Sequence, residues 1–209
     1  MTPRAPRGLG LVLTAAAVIA ALAILRPWTI VPIQSTPQGA FDPEAYVDSI
    51  WTSRVLPAAR ETAVELDGYL RQPPSSARAG GGAATRAVFV KGRATITEVD
   101  RGSRVGLARL RVTGGADAPA VAIQIGPVLR GTALRDALPF VRFTDFVNQL
   151  EFAAVANALN DRVLAEVIDG VEVDGLAGRE VEFVGASPAR SGAVVEIVPV
   201  LLGISGGAS

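Results

Sequence analysis

Three changes of residue pattern along the 209 residues predict an α+β chain. An uncharged run near the N-terminus reads as a transmembrane helix. Apolar residues at four-residue spacing follow, and they predict a helical subdomain. Beyond residue 87 the period becomes two, is interrupted by one long helical pattern, and then returns to two. Three strands, a helix and two more strands give the connectivity of an OB-like five-stranded β-barrel, with the long helix between strands 3 and 4. The expected divisions are 1–33 for the tip, anchor and juxtamembrane segment, 34–71 for the helical subdomain, 72–86 for a linker or loop, and 87–203 for the barrel with its helix at 144–169.

The N-terminal run extends from Gly8 to Leu25, with Arg4 and Arg7 before it and Arg26 and Pro27 after it. Its 18 residues would span roughly 27 Å as a helix, close to the thickness of a bilayer core. The basic flank predicts a cytoplasmic N-terminus and a single-pass cell-membrane protein whose C-terminal domain is extracytoplasmic. Ala21-Leu22-Ala23 offers a signal-peptidase site as the rival reading, although Ile24 and Leu25 continue the apolar run past it.

Phe41-Asp42-Pro43-Glu44 is a helix start, with Asp42 as N-cap, Pro43 at the first position and a Phe41–Tyr46 staple. Tyr46/Ile50 and Val47/Trp51/Val55 form the apolar stripe, and Pro57 should kink or restart the helix. Residues 71–86, RQPPSSARAGGGAATR, read as spacer. Val88 and Val90 open the first strand. Val105/Leu107 and Leu110/Val112 have opposite parity, which predicts a bulge near Ala108. Val121, Ile123 and Ile125 form the third strand. In the long helix, Phe146, Leu150, Ala154, Leu159, Val163 and Val167 are the expected apolar face, with Gly170 as C-cap. Strands at 180–184 and 194–202 complete the barrel.

Composition excludes much chemistry. The chain has 20 basic and 20 acidic residues, so no strong field favours nucleic acid. It has neither cysteine nor histidine, which removes disulfides, thiol nucleophiles, imidazole bases and His/Cys metal sites. Asp169, Glu172 and Asp174 lack calcium-loop spacing. The expectation is therefore no metal, no cofactor and no catalytic residue. A carboxylate-dependent hydrolase using two of Asp136, Asp145, Glu151 and Asp161 is the remaining enzymatic reading.

The polar residues that stand out lie between 124 and 162, within an otherwise apolar block. Arg130, Arg135 and Asp136 either tie a loop to the long helix or bind a ligand. Asn148, Gln149 and Asn160 divide the same way, between helix-to-sheet hydrogen bonds and recognition of sugar hydroxyls. These six are the candidate ligand-binding residues.

The run IQIGPVLRGTALRDALPFVRFTDFVNQLEFAAVANALNDRVLAEV, with IVPI at 30–33, FDPEAYVDSIWTSRVLPAA at 41–59, VKG at 90–92 and SRVG at 103–106, resembles the domain-of-unknown-function 2291 family of predicted periplasmic lipoproteins. The resemblance implies a helical subdomain joined to an OB-like barrel, and a setting beside sugar ABC importers. No activity is established for the family. Relatives carry a lipobox cysteine before the VPI segment, and this chain has none. The function expected is a membrane-anchored, extracytoplasmic, non-catalytic accessory or binding protein. Its partners would be the membrane through the N-terminal helix, sugar-importer subunits and a small polar ligand such as a sugar. The alternative is a purely structural envelope protein.

Overall fold

The computed structural model describes residues 41–71, 87–112, 119–188 and 194–205. The expected linker at 72–86 lies outside these residues, as does the Gly8–Leu25 run. The expected transmembrane helix is not supported: among the described residues no helix is long and apolar enough to cross a membrane. The longest helical stretch, at 149–168, carries Glu151, Asp161, Arg162 and Glu166, charges that a bilayer core would not accept unpaired. Phe41–Ser209 forms one compact unit, so the helical segment and the barrel share a core.

Helix α1 (Pro43–Ile50) begins as its sequence dictates. Asp42 Oδ1 accepts from the amides of Glu44 and Ala45, both at 3.0 Å. At Pro57 the α-helix restarts, with the proline in the first turn of the new segment. A π-turn over Trp51–Val55 widens the turn before the proline, with Leu56 N–H reaching Trp51 O, and the chain runs on into α2 (Leu56–Thr62). The helix ends at Ala63, which is extended, and is followed by strand β1 (Val64–Glu65) and helix α3 (Leu66–Arg71).

The barrel strands are β2 (Val88–Asp100), β3 (Leu107–Arg111), β4 (Ala120–Gln124), β5 (Glu180–Ser187) and β6 (Val194–Ser205). Closure depends on the length of β2. Its first part pairs antiparallel with β5, from Val88↔Ser187 to Thr95↔Glu180, and its second part with β3, from Thr95↔Arg111 to Asp100↔Leu107. Strand β4 pairs with β3 and, in parallel, with β6, which returns to β5. The cycle of five closes, with β1 added to β2 at Val64↔Val90. This is the expected OB-like connectivity. The bulge, however, lies on β2 at Thr97 rather than near Ala108. In β3, Ala108 and Leu110 are both buried, so the strand alternates without interruption.

Between β4 and β5 lie helix α4 (Ala133–Ala137), a 3-10 turn (Phe143–Asp145), helix α5 (Gln149–Val163) and a π-turn (Leu164–Ile168). The expected helix start at 144 is five residues early, because the Phe146–Asn148 backbone is extended until Asn148 caps α5. Leu150 is 82% exposed instead of core, and Val155, Leu159 and Val163 form the buried face. Phe41, Tyr46, Phe146 and Phe152 pack ring to ring with centroids 5.4–5.8 Å apart, and this cluster holds α1 to α5. Trp51 is only 1% exposed and its indole N–H donates to Glu166 Oε2 at 2.6 Å, so it is a core residue rather than a stacking platform. Arg162 bonds both Asp48 (2.5 Å) and Glu166 (2.6 Å), adding a charged tie between the same helices.

Two outcomes follow. A Cβ on Gly185 would lie 2.5 Å from Ile197 Cγ2 and 2.6 Å from Val198 O, whereas one on Gly170 meets nothing within 4 Å. In denaturant unfolding, Gly185→Ala should lose about 1–3 kcal/mol, and Gly170→Ala should stay within about 0.5 kcal/mol of the parent. Burial raises the Tyr46 hydroxyl above its ordinary value of 10.0; Arg54 opposes this and Asp145 adds to it. A raised folded value means a stability contribution that is full below pH 10 and is lost as pH rises past it. Tyr46→Phe should therefore lose less stability than the parent on passing that pH, measured by unfolding at successive alkaline pH values.

Candidate functional site

The segment from β4 to α4 has few backbone partners of its own, and side chains supply them. Gln124, 3% exposed at the end of β4, accepts from the Arg130 amide through Oε1 at 2.9 Å. Asn160 on α5, 6% exposed, donates to Gly131 O at 3.1 Å. Gly131 itself has φ +90°, a conformation that favours glycine. Asp136 N–H then closes a turn on Thr132 O.

Arg135 is the strongest of these ties. Nearly buried, it donates through Nε and Nη2 to Asp136 Oδ1 at 2.9 and 2.7 Å, and through Nη1 to Phe152 O at 3.0 Å. Its guanidinium lies 3.7 Å from the Phe152 ring centroid. Asp136 Oδ2 accepts from Thr132 Oγ1 at 2.6 Å. The carboxylate is thus engaged on both oxygens, and α4 is fixed to α5.

Arg130 behaves differently. Its side chain is 58% exposed and forks onto Glu196, with Nε at 3.1 Å from Oε2 and Nη2 on Oε1. The hydrogen bond and charge of Glu196 raise the Arg130 guanidinium above its ordinary value, so it stays charged at every working pH. Gln124 Nε2 donates to the same Glu196 Oε2 at 3.2 Å. The parallel register Ala122↔Glu196, with alternating side chains, sets Gln124 and Glu196 on one face of the sheet. These groups line an open cleft of about 450 Å³ with Thr132, Asp136 and Val198.

The six residues singled out from sequence therefore do not form one site. Arg130 and Asp136 line the cleft. Arg135 and Asn160 fix the loop that carries them. Asn148 is the N-cap of α5, accepting from the Glu151 amide at 2.9 Å, and it and the exposed Gln149 are not among the residues lining the cleft. Glu196 is the residue that sequence reasoning missed. The signal was present as a lone carboxylate in the apolar strand VVEIVPV. Among the described residues no group of three acidic side chains could hold a metal ion.

Arg135→Ala takes the guanidinium from the partly exposed Asp136 carboxylate and leaves the Phe152 carbonyl without this donor, and should cost about 2–3 kcal/mol in denaturant unfolding. Arg130→Ala, whose guanidinium faces water, should cost under about 1 kcal/mol. Equal losses for the two would contradict the division of roles.

The comparisons with known proteins agree with this fold. An OB-fold protein from Thermotoga maritima, known from its crystal structure, superposes with a TM-score of 0.60 at 19% identity, covering 79% of this chain and 99% of that one. At that identity the likeness speaks for the fold alone. A search of curated proteins found no match. Residues 17–203 match the family described as predicted periplasmic lipoprotein, domain of unknown function 2291. No cysteine occurs in these 209 residues, so none of them carries a cysteine-linked lipid. The match spans most of the sequence, and the chain belongs to this periplasmic family of the cell envelope.

Proposed function

We propose that this chain is a non-catalytic, extracytoplasmic binding module whose Gln124–Arg130–Glu196 cleft takes a small hydroxyl-rich ligand such as a sugar. The observation that carries the reading is the contrast between the two arginines. Arg135 spends its donors on the fold, whereas Arg130 holds an exposed guanidinium against Glu196 over open space. A sugar hydroxyl both donates and accepts, and the cleft sets a carboxylate, an amide, a hydroxyl and a guanidinium beside the apolar Val194 and Val198. Its volume of about 450 Å³ lies in the range of small-ligand sites.

Asp136 and Glu196 both line the cleft, which raises the hydrolase reading. Each is engaged on both oxygens, Asp136 by Arg135 and Thr132, and Glu196 by Arg130 and Gln124. Neither presents a free edge to a scissile bond, which favours binding over catalysis. The structural reading draws on a specific observation as well: Arg135 and Asn160 are buried, the first bonded to Asp136 and the Phe152 carbonyl and the second to the Gly131 carbonyl. The suggested place of this module beside a carbohydrate importer comes from the family setting, and co-purification of importer subunits with the full chain tests it.

Calorimetric titration of the full chain with a panel of pentoses and hexoses should give saturable binding for at least one sugar. Removing one charged hydrogen-bond donor costs about 1.5–3 kcal/mol, so Arg130→Ala should weaken that sugar roughly tenfold or more. No binding by the parent across the panel would leave the polar block as a structural lock.

A further inference from the structure

A second concavity, of about 470 Å³, opens beside the turn that joins β2 to β3. Its walls are apolar: Val99 at the end of β2, Ile125 and Pro127 just after β4, and Val173 from the turn beyond the long helix. The floor is bare backbone. Gly106, at φ +54°, crosses Gly126 so closely that a Cβ on Gly126 would lie 2.2 Å from Val105 O. Hydrogen bonds from Ile125 N–H to Gly106 O (3.0 Å) and from Gly126 N–H to Val105 O (2.6 Å) hold the crossing in place. Such a floor is pre-formed and needs no ordering when something lies on it.

The rim carries two arginines. Arg101 is paired with Asp174 at 2.6 Å. Arg104 also lines the concavity and is exposed, and among the described residues it makes no hydrogen bond or ion pair. The Ser103 hydroxyl stands beside it on the same rim. The hairpin therefore presents one unspent guanidinium and one hydroxyl at the edge of an apolar trough.

We infer that this groove binds a small amphipathic carboxylate, with its apolar body on Val99, Ile125, Pro127 and Val173 and its anionic head on Arg104 and Ser103. A guanidinium takes a carboxylate with two parallel hydrogen bonds, and the apolar trough supplies the remainder of the recognition. The site is separate from the Arg130–Glu196 cleft, with which it shares no lining residue.

The test titrates the full chain with 4-phenylbutyrate and with 4-phenylbutylamine, two probes with the same apolar body and opposite head charge. The carboxylate should bind about tenfold or more tightly than the amine. Arg104→Glu, a change at an exposed side chain with no partner to lose, should reverse that preference. Val173→Asp should weaken the carboxylate by about tenfold as well, because it places a like charge in the apolar wall. Failure of the parent to bind phenylbutyrate, equal binding of the two probes, or a preference unchanged in Arg104→Glu would each overturn the inference.

Discussion

The buried guanidinium of Arg135 is the interaction on which the candidate cleft depends. A charge taken out of water must be repaid in hydrogen bonds, and Arg135 is bonded to the Asp136 carboxylate and the Phe152 carbonyl while stacking on a ring. These contacts fix helix α4 against α5. With α4 fixed, Thr132 and Asp136 take up one wall of the cleft. The loop before them is pinned at Arg130 N–H by Gln124 and at Gly131 O by Asn160. The Arg130 side chain remains directed at water, and Glu196 on β6 orients it. Structural and recognition roles are thus divided between two arginines five positions apart.

The helical segment is bound to this frame by three kinds of contact. Aromatic rings from Phe41 and Tyr46 meet Phe146, apolar Val47 and Val55 are buried, and Arg162 and Trp51 share the carboxylate of Glu166. The π-turn before Pro57 lets one helical run present Trp51, Val55 and Ala59 to the core, all of them at most 1% exposed. Since α5 carries both Asn160 and Phe152, whatever holds α1 on α5 also steadies the cleft loop.

Much of the fold was legible because its signals are local. Asp42-Pro43 starts a helix by capping chemistry, and Val121 and Ile123 alternate because β4 has a barrel interior on one side. Five strand patterns in order sufficed for the connectivity. The start of α5 was missed because Phe146 and Leu150 have helical spacing while Phe146 belongs to the aromatic cluster and Leu150 faces solvent. The bulge was misplaced because it lies on β2 at Thr97, and a change of register does not reveal which strand carries the extra residue. At the cleft, Arg130 and Asp136 were visible as charges in an apolar block. Glu196 was not, since its link to Gln124 comes only from the parallel pairing of β4 and β6, 72 residues apart.

The central claim is that side chains rather than a backbone ladder hold the loop between β4 and α4 as firmly as the barrel. Native-state hydrogen exchange at the Arg130 amide, whose acceptor is the Gln124 side chain, tests it most directly. The account predicts protection comparable to that of the Ile123 amide in β4, and loss of protection at Arg130 alone in a Gln124→Ala chain. Exchange at Arg130 as fast as in an open chain, with β4 still protected, would contradict it.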